Sequence, residues 1–102
     1  MNTSMIIKQS NIKDKRFTAI FFKNDKKFKT IHFGLKNPKK GTYIDHSDKE
    51  IRKNYIARHQ VREKQFYNSP YHASTLSRFI LWGDSDNLQQ SIKLFKKKFN
   101  LK

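Results

Sequence analysis

The chain contains no cysteine, three glycines, two prolines and only eight acidic residues in 102. Without cysteine there is no disulfide, no thiolate nucleophile and no Cys-ligated zinc. No apolar run approaches the roughly 18 residues of a membrane span, and no signal-peptide pattern opens the chain, so a soluble intracellular protein without a membrane partner is expected. No internal repeat or low-complexity segment is visible, and the length suits one domain. Apolar residues make up 35% of the chain. Such a core is small and leans on aromatic side chains, each burying about 150–250 Å².

What the chain does have is positive charge. Lys and Arg number 23, for a net +15, and they are spread along the sequence beside nine Phe, four Tyr and one Trp. A basic tail alone would stay unfolded, whereas fourteen aromatics can build a core. The composition therefore describes a folded domain with a cationic surface. Self-repulsion opposes compaction, and a polyanion partner is the usual reason to tolerate it; nucleic acid is the leading candidate. Lysine outnumbers arginine 18 to 5. Lysine neutralises phosphate as a point charge, while the arginine fork suits bidentate reading of guanine, so the balance favours sequence-independent contact. An AT-rich genome would also raise lysine over arginine, but it does not account for the net charge.

Residues 1–15 carry an apolar run at Met5, Ile6 and Ile7 in a mainly polar stretch and are expected to form a flexible arm or a short edge strand, ahead of a single basic domain over residues 16–102. A β-hairpin is predicted over residues 16–34, turning at Asn24-Asp25-Lys26. Phe17, Ala19 and Phe21 share one face of its first strand; Ile20 and Phe22 share the other, which could serve as an interface. Residues 35–41 read as a loop, and Thr42-Tyr43-Ile44 as a short third strand. Ser47 with Glu50 forms a capping-box pattern ahead of a helix from about Asp48 to Arg62, on which Arg52, Tyr55, Ile56, His59 and Glu63 fall on one side. A second helix is predicted over Ser74–Trp82 with Gly83 as its C-cap. A third is capped by Ser85 and Asp86 and carries an apolar stripe of Leu88, Ile92, Phe95 and Phe99. The fold class is α+β: an N-terminal antiparallel hairpin, or three strands, packed against about three helices.

The basic residues fall into four groups. Lys23, Lys26, Lys27 and Lys29 mark the hairpin tip; Lys36, Lys39 and Lys40 mark the following loop; Lys93, Lys96, Lys97 and Lys98 lie off the stripe of the last helix. Arg52, Arg58 and Arg62 concentrate three of the five arginines on the first helix, either for phosphate contact or for pairing with Glu50, Glu63 or Asp45. Lysines near a helix C-terminus also suit its dipole without any ligand. The four histidines are spaced 14, 13 and 13 apart, unlike the local pairs of a zinc motif, and Asp45-His46 reads as a fixed turn before the helix. No metal, cofactor or catalytic residue is assigned. Trp82 could stack on bases, but its helical spacing with Leu76, Phe79 and Ile80 favours the core.

Thr42-Tyr43-Ile44-Asp45-His46, then Arg52, Tyr55, Ala57-Arg58-His59 and Glu63, the block Leu76-Ser77-Arg78-Phe79-Ile80-Leu81-Trp82-Gly83, and Phe95 through Leu101 together resemble a family of small basic proteins encoded by giant nucleocytoplasmic DNA viruses, mimivirus-like and phycodnavirus-like. The resemblance spans residues 16–101. Members often place tryptophan where this chain has Phe66 and Phe79, and glycine where it has Ser74. The family has no established enzymatic activity, so no catalytic role is carried over. What the resemblance implies is context: a very large viral duplex to package.

Taken together, these readings lead to the expectation of a non-enzymatic, sequence-independent DNA-binding protein of a virion nucleoid. It would condense or protect a viral genome through lysine–phosphate contacts. Condensation needs bridging, hence two basic faces or a homodimer. The alternatives are a virion structural component binding acidic proteins or RNA, and, further off, a small nuclease.

Overall fold

The computed structural model describes residues 3–35 and 41–102. Three strands, β1 (Thr3–Gln9), β2 (Lys15–Lys23) and β3 (Lys26–Leu35), form an antiparallel meander in the order β1-β2-β3. Four α-helices follow: α1 (Tyr43–His46), α2 (Lys49–Glu63), which runs on into a 3-10 turn at Lys64–Phe66, α3 (Ala73–Leu76) continuing into a π-helical turn at Ser77–Leu81, and α4 (Leu88–Lys98). The fold is α+β.

Period-2 alternation sets the sheet. Met5, Phe17, Ala19, Phe21 and Phe33 are buried on the face that meets Tyr43, Leu76, Ile80, Leu81, Trp82 and Phe95. The hairpin between β2 and β3 turns in two residues, Asn24 and Asp25, both at positive φ (52° and 68°), as the right-handed strand twist requires. On the opposite face Ile6 lies across from Ile20. Ile20 is buried there by its neighbours outside the main core, while Ile6 remains 48% exposed.

Residues 3–9 are a strand rather than an arm, pairing with β2 from Thr3–Lys23 to Gln9–Phe17. The reason is Met5, which is fully buried against the core; that burial fixes the register of the whole segment. The outer edge of β1 is itself occupied at one point. Lys102 donates its backbone N–H to the Thr3 carbonyl (2.9 Å) and accepts from the Met5 N–H (2.8 Å).

Thr42-Tyr43-Ile44 is not the third strand. Thr42 caps α1, its backbone and hydroxyl both donating to the Asp45 carboxylate at 2.7 Å. Ser47 then turns through a left-handed conformation (φ 59°), and Asp48, not Ser47, caps α2 by accepting from the Glu50 and Ile51 N–H groups. The helix predicted over Ser74–Trp82 widens after one turn, and the Trp82 N–H donates five residues back to the Ser77 carbonyl (3.0 Å). Gly83 is needed there for closeness, since a Cβ would sit 2.3 Å from the Phe79 carbonyl oxygen.

The cap of α4 is Asn87, whose side chain accepts from Gln90 N–H. The stripe is as the periodicity predicts: Phe95 is buried, and Leu88, Ile92 and Phe99 pack against the core. Asn100, at φ 55°, ends the helix. Its N–H reaches the Lys97 carbonyl and that of Leu101 the Lys96 carbonyl, the paired bonds of a left-handed C-terminal turn. That turn delivers Lys102 to β1.

Candidate nucleic-acid interface

Lys23, Lys26, Lys27 and Lys29 are all exposed at the hairpin tip and along the open edge of β3. Lys23 pairs with Lys26 across the turn, and the register slips between Phe21 and Phe22, which face Lys29 and Lys27. The residue bulged out is Phe28, whose ring meets the Phe21 and Tyr71 rings at 6.5 and 5.8 Å. Lysines on this edge also discourage another strand from adding to it.

Lys93, Lys97 and Lys98 are exposed on α4, and Lys96 is half-buried. Lys98 has packing to do as well, its Nζ lying 4.8 Å from the Phe79 ring centroid. The turn after α4 joins this cluster to the hairpin tip. Ser4, Asn24, Asp25 and Lys102 line one cleft, which places Lys102 beside the hairpin tip. Lys36, Lys39 and Lys40 lie outside the described residues.

The three arginines of α2 do not share a role. Arg52 belongs to the fold. Its Nε donates to the Gly83 carbonyl (2.8 Å) and the Trp82 carbonyl (3.3 Å), and its terminal nitrogen pairs with Asp84 at 2.9 Å. Arg78 donates to the same Trp82 carbonyl (3.0 Å), so two guanidinium groups satisfy the carbonyls where the π turn ends. Burial, then the nearby Arg52 charge, push the Arg78 pKa down. Arg52 is therefore withdrawn from the phosphate-contacting set. Arg58 and Arg62 are exposed and make no hydrogen bond or ion pair among the described residues.

Trp82 is core. It is 7% exposed, and its ring stacks on Tyr55 at 4.0 Å and 6° and meets His46 at 5.6 Å. His59 stacks on the other side of Tyr55 at 4.1 Å and pairs with Glu63 at 3.2 Å. Burial, followed by the Glu63 charge, pushes the Tyr55 hydroxyl well above its ordinary pKa. Beside this ladder lies a cleft of about 430 Å³, lined by Tyr55, Arg58, His59, Leu81 and Trp82 among others.

Asp45-His46 fixes the turn, as the residue pattern predicts. Arg16 donates two 2.7 Å hydrogen bonds to the Asp45 carboxylate, and the Arg16 guanidinium holds that carboxyl well below the usual range. The Asp48 N–H donates to His46 Nδ1 (2.9 Å). Arg16, to which no sequence motif assigns a role, pairs with a partner 29 residues away, so no local pattern announces it. Among the described residues, no three His, Asp or Glu side chains gather where a metal could be held, and no helix is long and apolar enough to cross a membrane.

Uncompensated charge is the site's main property. Among the described residues the ion pairs engage Arg16 and Arg52, His59 contacts Glu63, and no lysine takes part in a pair. No curated protein and no solved structure matches the chain. A family model does match, over residues 5–59, which covers the sheet, α1 and α2 as far as His59. The chain belongs to that family, DUF5754, a family of unknown function.

Proposed function

We propose that the protein binds nucleic acid without sequence selectivity, through phosphate contacts from cations the fold leaves unpaired. One observation carries the reading: a net +15 in which three arginines, Arg16, Arg52 and Arg78, are tied into the fold while the described lysines have no ion-pair partner. A folded domain bears such self-repulsion when a polyanion relieves it. The lysines at the hairpin tip and on α4, with Arg58 and Arg62, are the contacting set. They extend over more than one element, as sequence-independent backbone binding needs.

The biological role we propose, on the resemblance to giant-virus proteins, is to condense or protect a large viral genome in the virion. Gel shifts and electron microscopy with long duplex DNA of unrelated sequences test binding, sequence tolerance and compaction together. Similar affinity for every sequence with visible compaction supports the proposal; strong preference for one sequence, or no binding, contradicts it. A second reading, a virion component docking to other proteins, draws on exposed Ile6 beside Ile20 on the free sheet face. A protein that stays with the capsid shell after nuclease treatment of opened virions would favour it.

A further inference from the structure

α2 is anomalous for a small domain: fifteen residues long, it buries none of them fully. Its half-buried positions, Ile51, Arg52, Tyr55, Ile56, His59 and Glu63, form one side. At about 100° per residue the side directly opposite is Glu50, Asn54, Ala57 and Val61, spaced i, i+4, i+7 and i+11. All four are exposed, and Val61 is 83% exposed, the most of any large apolar side chain among the described residues. Cations border this strip on both flanks, Lys53 on one and Arg58 on the other, with Lys49 and Arg62 further round on the same two sides. From Ile51 to Arg62 there is no acidic residue. Glu50 sits in the first turn, where the helix dipole favours it.

From this pattern we infer that α2 lies in the major groove of B-form DNA. The inference rests on the nucleic-acid reading above and narrows it to one form of ligand. Small side chains at the centre of the exposed strip let the helix approach base edges, where Ala57 and Val61 can meet thymine methyl groups and Asn54 can hydrogen bond. Flanking cations then face the phosphates of the two strands that wall the groove. A solvated face would need no small centre between two cationic borders. The dimensions select the groove. A helix with its side chains is about 10–12 Å across, which suits a major groove of about 12 Å and not a minor groove of about 6 Å. The deep, narrow major groove of A-form RNA excludes it, so the protein discriminates DNA from RNA by shape. With small residues at the centre, the contact contributes affinity and little sequence preference. The lysines of the hairpin tip and α4 remain free for a second backbone contact.

Three ligands of one mixed sequence test this at matched salt: a DNA duplex, the same duplex with its cytosines replaced by glucosylated 5-hydroxymethylcytosine, which fills the major groove, and the RNA duplex. The plain DNA duplex is expected to bind about tenfold more tightly than either of the others. Val61→Glu and Ala57→Glu place a carboxylate in the groove and are expected to weaken binding to plain DNA about tenfold. Gln89→Glu on α4 makes the same charge change elsewhere and is expected to weaken it about twofold. Far-ultraviolet circular dichroism checks that each variant is folded, and the three-ligand comparison on the unaltered protein is independent of all of them. Equal affinity for the three duplexes overturns the groove placement while leaving phosphate binding intact. No binding to any duplex overturns both.

Discussion

Replacing Arg52 by Met removes one charge and three hydrogen bonds while keeping a long apolar stem on α2. The bond of greatest consequence is from Nε to the Gly83 carbonyl, at 2.8 Å and with Gly83 buried. Losing a charged donor there costs about 1.5–3 kcal/mol, including the carbonyl left unsatisfied. The Trp82 carbonyl keeps its bond from Arg78, so removing the Arg52 bond to it adds little. Asp84 is 87% exposed, and an ion pair to such a group contributes about 0–1 kcal/mol. The expected destabilisation is therefore about 2–3 kcal/mol, a fall in Tm of roughly 8–20 °C for a domain of this size. Calorimetry or thermal circular dichroism reads it directly. In the same variant the slope of log affinity against log salt should not change, because Arg52 is not on a phosphate. A slope smaller by about 0.9 with Tm unaltered would refute the assignment and return Arg52 to the DNA-contacting set.

Gly83→Ala forces a Cβ to within 2.3 Å of the Phe79 carbonyl oxygen, and urea denaturation should show a destabilisation of at least about 2 kcal/mol; a change under about 0.5 kcal/mol would mean that the turn has room for a methyl group. Trp82→Ala empties the centre of the Tyr55 and His46 contacts and should cost about 3–5 kcal/mol, measured by circular dichroism because the only tryptophan is gone; intact stability with abolished binding would revive a stacking role. The Asp45 carboxyl has a lowered pKa in the folded state, so its contribution is complete above the unfolded value of about 3.9 and is lost as pH falls below it through the folded value. Asp45 is 35% exposed, and solvent screening keeps that contribution to about 1–2 kcal/mol. Asp45→Asn should lower stability at pH 7 by that amount and flatten the acid limb of the stability curve; parallel acid limbs would contradict the Arg16 pairing.

What the sequence made legible was local. The Leu88–Phe99 stripe and the Asn24-Asp25 turn were readable because each depends on residues within one or two turns of chain. The cluster of Arg52, Tyr55, Ile56, His59 and Glu63 on α2 was readable for the same reason, and with Ile51 those side chains are the half-buried ones. What escaped depends on distant partners. Residues 3–9 read equally as an arm or an edge strand, and Met5 meeting Phe21 is what makes them a strand. Thr42 and Tyr43 have strand propensity, yet Asp45, held by Arg16, turns them into a helix start. Arg52 and Arg58 look equivalent as charges on one helix, but the carbonyls that claim Arg52 lie 30 and 31 residues on. For the candidate site, exposure of the lysines was legible because charged stems rarely bury. The placing of Lys102 beside β1 and the hairpin tip was not.

The most direct test of the central claim is the salt dependence of duplex binding, comparing the unaltered protein with a variant carrying Gln at Lys93, Lys96, Lys97 and Lys98. If unpaired cations bind phosphate at about 6–10 sites, affinity for any duplex falls by roughly 10³–10⁵ between 50 and 200 mM salt. In the variant the slope of log affinity against log salt should shrink by about 0.9 for each phosphate no longer neutralised, equally for every sequence. The fold should be retained, because glutamine and lysine have similar helix propensity. A flat salt response in the unaltered protein would contradict the account.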